Sequence, residues 1–174
     1  SENAAMWMFC EPMQVDGRRG IDLVVGTKGS DESIGWYESP ENPRDLTAWK
    51  WHSATKAGWV MSLRRADVDG DGHDDLLFSD RKGANRGVWF LAMPKTGAAP
   101  LDREWPRRSI GGRNREVMFL TVGELDPGRR DIVVGSRSQG LLWLKQSWAG
   151  RGSVTRWFML CFTAMCQWSK APHW

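Results

Sequence analysis

The feature that most constrains this chain is an internal repeat, because a sequence that copies itself every 50 or so residues can only fold as an array of like units. Three segments share an Asp, an apolar run, a turn and a second apolar run around Trp. They run from Asp22 to Tyr37, from Asp75 to Phe90, and from Asp131 to Leu144. The Asp positions lie 53 and 56 residues apart, and Trp36, Trp89 and Trp143 lie 53 and 54 apart. Val60 to Leu63 matches Val117 to Leu120, 57 residues later, and Trp49 to Ala54 aligns with Trp105 to Ile110. Four landmarks thus recur in one order.

Each unit offers four short β-type runs. They are parted by turn residues at Lys28 to Asp31, Ser39 to Pro43 and Lys82 to Asn85, with little that could form an ordinary helix. Four strands in about 50 residues is the content of a propeller blade, whose sheet buries both faces against its neighbours. The expected fold is therefore an all-β propeller of three four-stranded blades, each of about 53–57 residues. Units near residues 6–59, 60–116 and 117–160 form one propeller-type domain, with the tail 161–174 unassigned. Met6 to Phe9 reads as a strand preceding the first Asp loop and the last outer strand lies around Trp157, so the termini are expected inside a blade. Three blades are fewer than the roughly 4 to 8 that close a propeller. Either a homo-oligomer, dimer or trimer, completes the ring, or the chain is a fragment of a longer propeller.

The strongest chemical signal is the run Asp67, Val68, Asp69, Gly70, Asp71, Gly72, His73, Asp74, Asp75, directly before an apolar strand. Carboxylates at positions 1, 3, 5 and 9 and the backbone carbonyl at position 7 make the all-oxygen shell that a hard cation such as Ca²⁺ requires. Asp67, Asp69, Asp71 and Asp75 are the expected side-chain ligands, and His73 the carbonyl ligand. Position 12 is Phe78, inside the strand, so this is not the helix-flanked form of such a loop. The alternative is a solvated Asp-rich turn bonded to its own backbone. The other two loops are eroded: Gln14 to Asp22 has Arg18 at the fifth position, whose cation could stand in for a metal, and Glu124 to Asp131 is one residue shorter.

The Asp67 to Asp75 loop, running into Leu76 to Ser79 and followed by Gly87 to Phe90, resembles the FG-GAP/VCBS type of β-propeller repeat. The resemblance spans about residues 10 to 160. It implies a calcium-stabilised, extracellular or periplasmic binding scaffold of the kind found in integrin-like heads, lectins and accessory domains of polysaccharide-acting enzymes.

Among function classes, catalysis has the weakest support, since no nucleophile elbow, phosphate loop, dinucleotide fingerprint or zinc-protease helix occurs. His52, His73 and His173 are scattered. Paired acids at Asp31 with Glu32, and at Asp102 with Glu104, suit either a glycosidase or a solvated turn. Basic pairs such as Arg64 with Arg65 and Arg107 with Arg108 are balanced by 21 acidic residues, so no nucleic-acid partner is expected. No membrane partner is expected either, because no apolar run approaches 20 residues, and Ser1 to Met8 lacks the order of an export signal. Cys10, Cys161 and Cys166 leave disulfide pairing open and resemble no zinc set.

The 12 Trp residues beside a single Tyr have two readings, packing between blades or stacking on sugar rings. Trp51, Trp59 and Trp148 lie outside the repeated positions and are the candidates for a glycan. The resulting expectation is a non-catalytic, calcium-stabilised, carbohydrate-binding module. The competing reading is an accessory or partial module of an extracellular polysaccharide-acting lyase, hydrolase or dehydratase.

Overall fold

The computed structural model describes residues 6–29, 33–68, 71–93, 104–128, 130–147 and 156–162. Twelve strands and no helix occur among them. The first sheet holds β1 (Met6–Met13), β2 (Asp22–Lys28), β3 (Ser33–Glu38) and β4 (Lys50–Lys56). The second holds β5 (Val60–Ala66), β6 (Asp75–Asp80), β7 (Gly87–Leu91) and β8 (Arg107–Gly111). The third holds β9 (Val117–Gly123), β10 (Asp131–Ser136), β11 (Gly140–Ser147) and β12 (Arg156–Phe162). Every sheet is antiparallel and its strands lie in chain order, so each is a four-stranded, propeller-like blade.

Consecutive order corrects the expectation that the terminal strands fall inside a blade split between the two ends of the sequence. β1 pairs with β2 and β12 pairs with β11, so the first and last strands complete their own sheets rather than sharing one. The strand β12 also runs through Cys161 and Phe162; residues 163–174 lie outside the described ones.

The blades stack through their innermost strands, β5 lying between β1 and β9, while no comparable contact joins β1 to β9. The three sheets form an open arc. Two apolar cores fill its two seams. Forward-facing residues of the first blade, Val15, Val24, Ile34 and Trp36, meet rear-facing Leu63, Leu76, Phe78 and Leu91 of the second. Forward-facing Val68, Leu77, Val88 and Phe90 of the second meet Leu120, Ile132, Val134 and Leu144 of the third. The alternation in β6 is complete: Leu76 and Phe78 point back to one core and Leu77 points forward to the other. A strand buried on both faces reads as a continuous apolar run, which explains the unbroken Leu76, Leu77 and Phe78 of β6 and Val88 to Leu91 of β7.

Several arginines, exposed or half-buried, also reach across from one blade to the next. Arg64 pairs with Glu11 at 3.4 Å, and Arg107 donates to the Lys56 carbonyl at 2.9 Å. Arg81 reaches Glu116 across the second seam at 3.4 Å, and Arg137, on the same blade as Glu116, joins it at 3.2 Å.

Candidate functional site

The loops that enter β2, β6 and β10 share one device, built on the Asp that opens each strand. Asp22 accepts the Val15 N–H at 2.8 Å and the Ser39 N–H at 2.9 Å. Asp75 does the same with Val68 and Met93, both at 3.3 Å. Asp131 accepts from Leu125 at 3.1 Å and Asp126 at 3.0 Å, and its other oxygen is buried without a partner. Each Asp therefore ties the entry of its loop to its strand, and in the first two blades also to the exit of the third strand. A buried carboxylate makes this favourable because charge-assisted N–H bonds replace the lost water.

On this frame the second loop arranges its other acids. Asp67, half-buried, accepts the Gly72 N–H at 3.2 Å across the turn. Asp71, exposed, accepts the His73 N–H at 2.9 Å. Gly72 has φ +87°, a left-handed conformation that a side chain would strain, and it turns the loop so that these groups share one end of the blade. Asp74 leaves the set and pairs with Arg65 at 3.0 Å. Arg130 of the third blade donates to the Asp67 carbonyl at 3.1 Å, so the loop also spans the second seam.

Of the five expected ligands, Asp67, Asp71, His73 and Asp75 thus lie on one short loop, and Asp69 lies outside the described residues. Among the described residues no three acidic, His or Cys side chains converge as a closed metal group. The donors are nonetheless all oxygen, which suits a hard divalent cation. Asp75 holds the Val68 and Met93 amides at 3.3 Å where Asp22 holds its two at 2.8 and 2.9 Å.

The first loop shows what fills that role without charge. Gln14 donates to the carbonyls of Arg18 at 3.0 Å and Gly20 at 2.7 Å and accepts the Gly17 N–H at 2.9 Å. A neutral carboxamide closes the turn, whereas the side chain of Arg18 is exposed and contributes no ion pair among the described residues. Only the Gln at the first position could have signalled this in the sequence, since one amide can both donate to and accept from a turn.

Of the tryptophans singled out for glycans, Trp51 packs with Trp7 and Tyr37, ring centroids 5.5 and 5.1 Å away, on the rear face of the first blade. Trp59 sits at the first seam with Lys28, Arg81 and Lys82 at 4.4, 4.9 and 5.2 Å from its ring. Trp148 lies outside the described residues, as do Asp31, Glu32 and Asp102; Glu104 accepts the Thr55 hydroxyl at 3.1 Å. His52 is no site residue: it stacks on Trp36 at 4.4 Å and bonds Glu38 at 3.1 Å.

Beside Trp59 opens a cleft of about 420 Å³ between the first and second blades, which sequence spacing gave no means of finding. Ser33, Ser53, Lys56, Lys82 and Asn85 line it with Asp80. Asp80 accepts N–H bonds from Gly58 and Trp59, both at 2.8 Å, and from Lys82 at 3.2 Å, which fixes the linker from β4 to β5. Burial pushes its carboxyl above the usual range, and those three amides and Arg107 pull it part of the way back.

Blades of this order and loops of this kind define a β-propeller-type repeat protein. Residues 15–78 match the family model of the FG-GAP-like repeat, from the first Asp loop into β6. The match covers that stretch alone, and it is consistent with a propeller-type binding or scaffold module. No curated protein and no solved structure matches the chain.

Proposed function

We propose that the chain is a non-catalytic, calcium-stabilised binding module whose ligand is an acidic carbohydrate taken in the cleft beside Trp59. The observation that carries the ligand class is the lining of that cleft: two hydroxyls, one carboxamide and the ammonium groups of Lys56 and Lys82. Hydroxyls and an amide can exchange hydrogen bonds with sugar hydroxyls, and two cations suit the carboxylate of a uronic acid. Lys82 belongs both to the cleft and to the cationic ring around Trp59. The carboxylate that lines the cleft is engaged by three backbone amides, which favours holding a ligand over transforming one. Trp51, 38% exposed and packed with Trp7 and Tyr37, does not line this cleft.

The metal half of the proposal rests on the all-oxygen donor set of the second loop. Asp67, Asp69, Asp71 and Asp75 through carboxylates, and His73 through its carbonyl, would hold Ca²⁺. Its charge would offset the repulsion among the acids that precede β6.

Calorimetric titration with uronic-acid oligosaccharides tests the ligand. Lys56→Gln and Lys82→Gln are each expected to weaken binding about tenfold, the worth of one charge-assisted contact, and neutral oligosaccharides should be little affected by either. No heat from any acidic saccharide sinks the ligand class. For the metal, millimolar Ca²⁺ should raise the thermal midpoint, and Asp71→Asn, which keeps the acceptor for His73 N–H, should abolish the rise.

A further inference from the structure

We infer that the forward face of the third blade docks on the rear face of the first blade of a second copy, so that two chains close one six-bladed ring. The inference rests on the propeller-type reading above, but on neither calcium nor the glycan.

The chain contains two worked examples of the seam. In both, forward-facing side chains of one blade meet rear-facing side chains of the next, at matching positions. Ile34 and Val88, each opposite the same place in the second strand of its sheet, are 0% exposed. Leu141 holds that register position in the third blade and is 52% exposed. Val15 and Val68, the residues whose N–H groups the loop aspartates capture, are 1% and 7% exposed, and their counterpart Leu125 is 55% exposed. The same face carries Val133, Trp143 and Leu160 in one row across β10, β11 and β12. It is thus an apolar sheet face of the kind that the first two blades bury.

The rear face of the first blade is the complement. Cys10, opposite Val25, is exposed, whereas Leu63 and Leu120 at the same register in the next two blades are buried. Around it stand Trp7, 52% exposed, with Tyr37 and Trp51. Aromatic mass at this spot matches the seam inside the chain. Where the second blade points Trp89 rearward into the first seam, the first blade has Gly35, and the Trp51 ring crosses that gap from β4. A Cβ on Gly35 would lie 2.5 Å from the ring.

The occupant that fits a forward-type face is a rear-type face, and the chain presents one of each at opposite ends of its arc. Identical surfaces meeting each other would pair forward with forward, a contact found in neither seam. Head-to-tail contacts extend without limit unless they close, and propellers close at roughly 4 to 8 blades. Two copies of the three described blades reach six, inside that range, and three copies reach nine, beyond it.

The test is sedimentation equilibrium of the whole chain, with Leu141→Asp and Trp7→Asp as variants. Both positions are exposed in the single chain, so a charge there leaves each blade's own core intact, which far-UV circular dichroism checks. The expected mass is twice the 19.8 kDa chain. Each variant alone should raise the dissociation constant about 100-fold or more, the scale of a central interface residue. An equimolar mixture of the two should regain a dimer, because the good forward face of one variant meets the good rear face of the other. Iodoacetamide labelling provides a second readout: Cys10 should be protected in the dimer and Cys161, which is on neither docking face, should not.

A folded monomer at high concentration overturns the inference while leaving the glycan titration to stand or fall separately. So does a dimer that Trp7→Asp leaves unchanged, since that is the mark of forward-to-forward pairing. Masses beyond two chains overturn the six-blade closure.

Discussion

At the scale of single residues, the aspartates of this chain differ in what their charge is for. Asp22, Asp75 and Asp131 hold amides at the entry of a strand; Asp80 holds two at the linker between blades and one in its own turn. Burial raises the Asp80 carboxyl above its ordinary value of 3.8, so the folded state takes up a proton more readily than the unfolded state. Stability from this group is full below about pH 3.8 and is lost as pH climbs through the raised folded value. Urea midpoints of wild type and Asp80→Asn, compared with a chelator present between pH 3 and 7, should show the wild type losing ground to the variant as pH rises. A difference that is flat, or that grows in favour of the wild type, contradicts this assignment. The sequence made the Asp at each strand's start conspicuous through its spacing. It could not show that this Asp is an amide clamp, because the partners Val15, Ser39 and Met93 contribute only backbone N–H groups that every residue has.

At the scale of strands, face is decided by a period of two. The regular spacing of Trp36, Trp89 and Trp143 made them look like one repeated position, yet Trp36 faces forward and Trp89 faces rearward. The cause lies in the hairpin between the second and third strands of each blade. Gly26 pairs with Ile34, whereas Ser79 pairs with Val88, so the second hairpin is one residue longer and the counterpart of Trp36 is Phe90. A slip of one residue turns a side chain to the other side of its sheet. Strand existence and order were legible from the repeat because Asp, Gly and Trp punctuate it; side-chain facing was not, because it hangs on a turn length that spacing alone averages away. The same alternation gives a test within β11. Leu142 is fully buried in the second seam and Leu141 points out. In dilute single chains, Leu142→Ala should cost about 3 kcal/mol in urea unfolding, and Leu141→Ala under about 1 kcal/mol.

At the scale of the molecule, the arc is a short one-dimensional array in which, among the described residues, each blade packs on its neighbours. Removing the third blade should therefore leave the first seam standing. A chain ending at Gly112 is expected to unfold cooperatively, with a denaturant slope about two thirds that of the full chain, since the slope follows the surface exposed. Loss of all cooperative unfolding would mean that the first seam depends on the second. The repeat made the number of blades legible. The cleft beside Trp59 was not, because it arises from residues that come together only once one blade is set against the next.

Because every sheet is made of four consecutive strands, the chain can fold on the schedule of its own synthesis. The first blade's pairings close within residues 6–56, before the second blade has left the ribosome, and such local contacts form quickly. Each new blade then condenses on the one already formed. At each stage of translation the newest blade carries one uncovered greasy surface awaiting the next arrival, and the exposed Leu125 and Leu141 of the third blade belong to a surface of that kind.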